Sequence, residues 1–439
     1  MIVSLNLSPA RRKLAFSSFL IAMFLFRLWF GLCGQFRDDD TRQIYLLGLK
    51  FYTTHTWPYF GPDVIWGEVQ MPGALQAILV GGPFFLLRIP EAPYIFLNLL
   101  SFSALAFLAW YCCKRLPEVP KWFIWIWLMT APWTLNLSTV IYNPSYVLVG
   151  AVLFFVGLLE VLPMTRRDLI PTWLANLMMG FALLWVMQLH LSWVLLLPFI
   201  AIGFFFQARD GFPEFIRGMG WFLLGGMLPG ALLLPTLFRF GLSGGNTVSA
   251  LTFRADNWSA LPGIVNRLLA FASFEVPRFL GAHTSDRIAF LRDAIWLAPF
   301  AVLLFAAGIA QVAALIVVWF LRHHQHKDWS AIKHLLLFTV IVAYASFFFS
   351  IKPPQSNHLY LALPLVMIYS LYCWSRWLTH PRWQTCAKIF LACGIVFHVG
   401  VALHNLSRIS IYTERQRVQS AIDKKDYRIL GERRPGSKY

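Results

Sequence analysis

Charge is scarce in this 439-residue chain: Asp, Glu, Lys and Arg make up 13% of it, and only 20 residues are acidic. A soluble domain carries about a quarter of its residues charged, so a water-exposed globular enzyme is excluded as the body of the protein. Alternating polar and apolar stretches are missing as well, which excludes a closed β-barrel. The six cysteines, at 33, 112, 113, 373, 386 and 393, have no metal-ligand spacing. They lie in or beside apolar runs and read as reduced packing residues. No Gly-rich phosphate loop or Walker-type stretch occurs, and no polar run is long enough for a separate catalytic domain.

What fills the chain is apolar: 58% of it is hydrophobic, in recurring runs of about 20 residues that can each cross a bilayer as a helix. The fold class expected is an all-α polytopic membrane protein. The net charge of +17 fits cytoplasmic loops rich in Lys and Arg better than nucleic-acid binding, since no basic stripe accompanies a folded soluble domain. Arg11-Arg12-Lys13 ahead of Leu14–Gly34 resembles the start of a signal peptide. The apolar region is long and lacks a clear small-residue cleavage site, so it reads as the first span.

The positive-inside tendency then sets the register. About eleven spans are expected: Leu14–Gly34, Tyr94–Cys113, Trp122–Leu137, Tyr146–Leu162, Ile170–Met187, Leu191–Phe206, Met219–Leu237, Ala294–Leu321, His334–Ser350, Leu359–Trp374 and a last one ending near His404. Lys114, Arg115, Lys121, Arg166, Arg167, Arg209, Arg217, Arg322, Lys327, Arg376, Arg382 and Lys388 then fall inside, and Lys352 is the lone cation in the short outer connections. This requires the apolar piece Ala74–Leu87 to lie on the outer surface, because crossing there would invert every later loop. The expected organisation is a transmembrane domain over 1–405, with outer loops at 35–93 and 238–292, and a basic tail over 406–439. Ile411, Val418 and Ile422 share one helical face of that tail, which suggests an interfacial helix against anionic lipid. An even span count would put the tail inside, and that alternative stays open. Arg27, within the first span, reads as a snorkelling or helix-paired residue.

Several polar groups at the outer surface have chemical potential. Asp38, Asp39 and Asp40 stand between Arg37 and Arg42. A carboxylate beside another acid is pushed towards a raised pKa while a neighbouring Arg pushes back, and such an Asp can take a proton from an attacking hydroxyl. On residue type alone the plainer reading of the triplet is a solvated helix start. Glu68 stands out in the aromatic and proline-rich stretch Trp57–Pro72, which also holds Asp63 and Gln70. Lys352 to Tyr360, including His358, sits at an outer mouth, where a cation suits a phosphate or headgroup or simply snorkels. The loop Phe238–Arg292 carries Arg239, Arg254, Arg267, Arg278, Arg287 and Arg292 and is a plausible anion cradle. His190 lies at another outer turn, where a packed interfacial residue is the plainer reading. The inner His323-His324-Gln325-His326 cluster offers adventitious metal binding at most.

Three of these stretches together resemble the polyprenyl-phosphate-dependent glycosyltransferases of the C superfamily, which include protein O-mannosyltransferases and the lipid A aminoarabinose transferase. Asp39-Asp40-Thr41-Arg42 stands where that family has an acidic motif after the first span, followed by a first surface helix at Gln43–Phe51. Glu68-Val69-Gln70-Met71-Pro72 occupies the place of the element that opens a second surface helix. Phe348-Phe349-Ser350-Ile351-Lys352, with Tyr360 and Pro364, looks like the late Phe-Phe-Ser-x-x-Lys motif. The resemblance implies that Asp39 is the base, with Asp40 supporting it. It implies that Arg42 and Lys352 contact the lipid phosphate, that Glu68 orients the acceptor or the acidic loop, and that His190, His358 and Tyr360 complete the substrate site. It implies a polyprenyl-phosphate sugar as donor, and a lipid, glycan or protein hydroxyl as acceptor. The setting would be the outer face of the cell membrane, a bacterial inner membrane. No cofactor is required by the chemistry, and a divalent metal is compatible with it. Three departures matter: no Lys follows Glu68, Asn143-Pro144 replaces a second outer acid, and His190 stands where some members have Lys. A transporter or flippase for a lipid-linked substrate, and a non-catalytic membrane assembly protein, are the alternative classes.

Overall fold

The computed structural model describes residues 8–34, 36, 39–65, 69–241, 253–274, 276, 279–281, 284–321, 326–350, 354–406 and 410–431. Helix α1, Pro9–Leu32, starts where Ser8 accepts the Arg11 N–H and Pro9 fills the first turn, a position at which proline's missing donor costs nothing. The chain then forms α2 (Asp39–Thr54), the hairpin β1 (Phe60–Ile65) and β2 (Val69–Pro72), α3 (Leu75–Gly81) and α4 (Pro83–Leu86). Beyond these come α5 (Ala92–Arg115), α6 (Lys121–Thr130), α7 (Pro132–Ser138), α8 (Val147–Val161), α9 (Thr172–Met187), α10 (Leu197–Asp210), α11 (Phe212–Ala231) and α12 (Leu234–Phe240). The remainder is α13 (Leu261–Ala270), α14 (Thr284–Asp293), α15 (Ala298–Trp319), α16 (Trp329–Phe347), α17 (Ser356–Leu359), α18 (Leu363–Leu378), α19 (Pro381–Leu406), α20 (Ile411–Asp423) and α21 (Arg428–Gly431).

Among the described residues seven helices are long and apolar enough to cross a membrane: Pro9–Leu32, Ala92–Arg115, Leu191–Asp210, Ile295–Trp319, Trp329–Phe347, Ser356–Leu378 and Pro381–Leu406. The pair α11 and α12, bent by 70°, makes an eighth if it is one span. These helices fit a multi-pass membrane protein. Eleven apolar segments were expected, and three of them fall short of the length test. Trp122–Leu137 is split at Ala131, which is extended (ψ 142°) ahead of Pro132, because the proline ring excludes the helical conformation from the preceding residue. Helices α8 and α9 have 15 and 16 residues, about 22–24 Å against a hydrocarbon core of about 30 Å.

The elements from α2 to α4 are built as a layer on one end of the bundle. In α2 the residues Ile44, Tyr45, Leu49 and Tyr52 are buried while Asp40 and Lys50 are exposed, the signature of an amphipathic helix on a surface. It crosses α3 at two glycines: a Cβ on Gly81 would stand 2.3 Å from the Gly48 carbonyl oxygen. Ala74–Leu87 does not cross the bundle. It forms α3 and α4, and the Leu75–Leu86 stretch is apolar but short. One element was not expected: β1 and β2 pair antiparallel with Asp63 opposite Gln70, and Gln70 Nε2 donates to Asp63 Oδ1 at 2.8 Å.

Two expectations for the loops are corrected. The stretch 238–292 does not lie wholly on the surface, because its middle enters the helix body. Ile264, Leu268, Phe271, Ala272 and Val276 are fully buried, and the Phe274 N–H donates to Gln311 Oε1 at 2.8 Å. Gln311 lies about 20 Å along α15 from Ala298. Three of the loop's arginines find separate partners: Arg239 on the Tyr59 hydroxyl (2.9 Å), Arg287 on the Gly281 carbonyl (3.1 Å) and Arg292 near Asp293 (4.0 Å). The tail helix α20 does not turn its apolar face to lipid. Ile411, Val418, Ala421 and Ile422 are buried against the protein, and Arg415 pairs with Glu91 at 2.7 Å. Gln419 donates to the Arg88 carbonyl at 3.1 Å. The tail thus shares one side of the molecule with α2 and the start of α5.

Candidate functional site

The acidic stretch is positioned from beneath by a close helix contact. A Cβ on Gly31 of α1 would come 2.2 Å from the Thr139 carbonyl oxygen, and one on Gly34 2.5 Å from Val140. Only glycine lets α1 press its end so closely onto the 139–146 connection, and the chain then turns through Phe36, whose ring meets Tyr45 at 5.1 Å. Asp39 opens α2, and its side chain lies outside what the structure describes. Asp40 is exposed on the first turn. Arg42 donates to the Leu430 carbonyl of the tail. Arg37, Asp38, Glu68 and Lys352 lie outside the described residues.

From this turn a chain of contacts runs round the end of the bundle. Within the 139–146 connection Ser145 Oγ donates to the Val140 carbonyl at 2.6 Å and accepts the Tyr142 N–H at 3.0 Å. Asn357 Nδ2 donates to the Tyr142 hydroxyl at 3.3 Å. The neighbouring His358 faces His190, with ring centroids 6.2 Å apart. Two residues before His190, Gln188 donates to the Pro229 carbonyl at 2.7 Å and backs onto Gly73. That glycine has φ +103°, and a Cβ there would meet Gln188 Oε1 at 2.4 Å. Gly73 follows β2 and leads into α3, which packs on α2. The end of α1, the 139–146 connection, α17, the His190 turn, the hairpin and α2 therefore form one ring.

The sequence-derived site residues divide within this frame. His190 and His358 come together, and Asp39, Asp40 and Arg42 share the first turn of α2. Tyr360 is fully buried and packs on Phe271 at 6.1 Å, so it supports the ring from below and does not line its surface. Buried polar atoms without a partner among the described residues gather at this end: both amide atoms of Gln76, the hydroxyls of Tyr94 and Tyr146, and the amide oxygens of Asn143 and Gln188. Others lie elsewhere in the bundle, and Gln76, Tyr94, Tyr146 and Gln188 are enclosed like Tyr360 and do not line the surface. Burial, reinforced by the neighbouring His358, pushes His190 down to about 3, which keeps the ring uncharged at neutral pH.

A second polar cluster, at the opposite end of the bundle, was not legible as a cluster in the sequence. Arg115 Nη2 meets Asp328 Oδ2 at 2.6 Å, Arg115 Nε donates to the Tyr372 hydroxyl at 2.7 Å, and Tyr372 donates to Asp328 at 2.7 Å. The Tyr111 hydroxyl links Arg115 (2.8 Å) to Glu160 (2.7 Å), and Arg167 closes on Asp328 at 2.9 Å. His326 and Glu118 pair beside it at 2.9 Å. Arg115 and Glu160 are fully enclosed, yet two cations face two carboxylates and each side chain is bonded. The result is a clasp that ties α5, α8, α16 and α18 together, not a set of charges lining a path. The signal available in the sequence was the presence of Glu160 and Asp328 among loop cations such as Arg115 and Arg167.

Arg27 is likewise explained. It is fully buried and donates to the carbonyls of Met129 (2.8 Å) and Thr134 (3.3 Å) and to Ser138 Oγ (2.8 Å). It caps carbonyls around the Pro132 break, which is the helix-paired role expected of it.

No family model, curated protein or solved structure matches this chain. Fold and composition define the class, a helical protein with several membrane-length apolar helices.

Proposed function

We propose that this protein is a membrane glycosyltransferase that moves a sugar from a polyprenyl-phosphate donor to a hydroxyl acceptor, with inversion, at the outer face of a bacterial inner membrane. The observation that carries this reading is the ring of turns that sets the acidic start of α2 at the same end of the bundle as the paired His190 and His358.

In the proposed step the Asp39 carboxylate takes the proton of the acceptor hydroxyl. The freed oxygen forms a bond to the anomeric carbon as the bond from that carbon to the phosphate oxygen breaks, and its electron pair leaves with the lipid monophosphate. Asp40 supports the base, Glu68 orients the acceptor, and Arg42 with Lys352 stabilises the charge that grows on the phosphate. A low-dielectric interface strengthens those contacts relative to water. In the proposed topology eleven segments cross, the eight of membrane length together with α6–α7, α8 and α9. Mass spectrometry of envelope glycans and glycolipids from cells with and without the protein tests the reading. The expected result is a single sugar mass lost without it, and unchanged glycans would contradict it.

A further inference from the structure

His190 and His358 come from turns far apart in the chain, yet their rings lie 6.2 Å apart with planes inclined by 37°. Each ring is fixed by the same device. His190 caps the 3-10 turn Leu191–Leu196, and its Nδ1 accepts the Ser192 backbone N–H at 3.1 Å, with the Ser192 hydroxyl at 2.9 Å. His358 closes a capping box at the start of α17, and its Nδ1 accepts the Gln355 backbone N–H at 3.3 Å. A backbone amide can only donate, so in both rings Nδ1 is the unprotonated nitrogen and the proton of the neutral imidazole sits on Nε2.

That tautomer narrows what the pair can do. A general base acting at Nε2 needs its lone pair there, with Nδ1–H held by an acceptor. Here Nδ1 is occupied by a donor instead. A metal ion at Nε2 would require the ring to give up its only proton while still accepting the amide, and metal-bound histidines instead donate from the other nitrogen. At Nε2 the His190 ring therefore offers a donor and no acceptor. A ring that donates and cannot accept suits a group that only accepts, an anionic oxygen, better than a hydroxyl, which must also place its own proton.

We propose that His190, with His358 beside it in the same tautomer, donates Nε2–H to a non-bridging oxygen of the phosphate of a lipid-linked substrate. The assignment of that substrate rests on the glycosyl-transfer reading, and it gives the two histidines a role distinct from the cationic grip of Arg42 and Lys352. An uncharged donor orients the phosphate without adding to its electrostatic hold, so the lipid monophosphate can still leave.

The test is made on the purified full-length protein in lipid nanodiscs, with farnesyl phosphate and inorganic phosphate as probes and no sugar transfer required. His190→Gln, which keeps an N–H donor near the Nε2 position, is expected to bind farnesyl phosphate within about threefold of the native protein. His190→Leu is expected to bind it about tenfold more weakly, the loss of one hydrogen bond to a charged group. Equal binding by the Leu variant and the native protein would overturn the proposal, as would a dependence of native binding on added zinc or chelator. Inorganic phosphate bound as tightly as farnesyl phosphate would overturn the lipid assignment. A measurement needing no variant is 15N NMR of histidine-labelled protein, where protonated Nε2 and bare Nδ1 at both sites are expected and the reverse tautomer would sink the idea. Native protein that binds farnesyl phosphate but transfers no sugar would leave the donor pair standing and remove the glycosyltransferase reading.

Discussion

Asp328 shows how a single side chain decides a local balance of charge. Burial alone would raise its carboxyl, but the hydrogen bond from Tyr372 and the Arg115 and Arg167 guanidinium groups hold it below the usual carboxylate range. Glu118 behaves alike: burial works against its charge, and the bond with His326, a backbone hydrogen bond and the charges of His326 and Arg167 together outweigh it. A carboxylate whose pKa is lower in the folded state contributes stability above its unfolded value, about 4, and loses it as pH falls through the folded value. The clasp is therefore intact at neutral pH and loosens only below about pH 4. Asp328→Asn would leave Arg115 buried without its closest counter-charge, a change that costs about 3–5 kcal/mol when a buried pair is broken. Thermal unfolding in nanodiscs at pH 7 should show a clear loss of stability, and a smaller difference from the native protein in acid. A variant melting with the native protein at pH 7 would mean that the clasp holds nothing.

At the scale of elements, the tail and the layer from α2 to α5 are one assembly. Arg415 on Glu91, Gln419 on the Arg88 carbonyl, Arg42 on the Leu430 carbonyl and Lys50 over the Tyr427 ring bind α20 and α21 to α2 and the turn before α5. The amphipathic face of α20 was legible in the sequence from the spacing of Ile411, Val418 and Ile422, but its partner was not. A lipid surface and an apolar protein face satisfy the same pattern, and only a long-range contact distinguishes them. The same holds for α13 and the turn after it, whose apolar residues give no hint that Phe274 reaches Gln311. Cysteine labelling tests the sidedness that follows. In a background without the native cysteines, Lys50→Cys and Lys424→Cys should react with an impermeant reagent from outside intact cells. Lys114→Cys, at the far end of α5, should react only after permeabilisation. Lys424→Cys protected where Lys50→Cys is labelled would break the account of the tail.

For the molecule as a whole, the apolar runs located the helices because a bilayer demands continuous hydrophobic length. What they could not give is how far each helix extends: Pro132 breaks one segment, and α8 and α9 stop at 15 and 16 residues. The candidate site was legible in its parts, as an acidic turn and two histidines. The ring that joins them depends on Gly31, Gly34 and Gly73 meeting Thr139, Val140 and Gln188, close approaches that no local pattern encodes. The inner clasp escaped for the same reason, since Arg115 and Asp328 meet only in the folded bundle.

The central claim is that the acidic turn at the start of α2 is a catalytic base for sugar transfer from a lipid phosphate. Its most direct test is transfer from radiolabelled polyprenyl-phosphate sugars to membrane acceptors by the purified protein and its Asp39→Asn variant, both shown to be folded and to bind farnesyl phosphate. Loss of a positioned general base costs about 10²–10⁴-fold in rate. The account predicts measurable transfer by the native protein and a fall of at least about a hundredfold in the variant. Transfer by the variant at the native rate would contradict it.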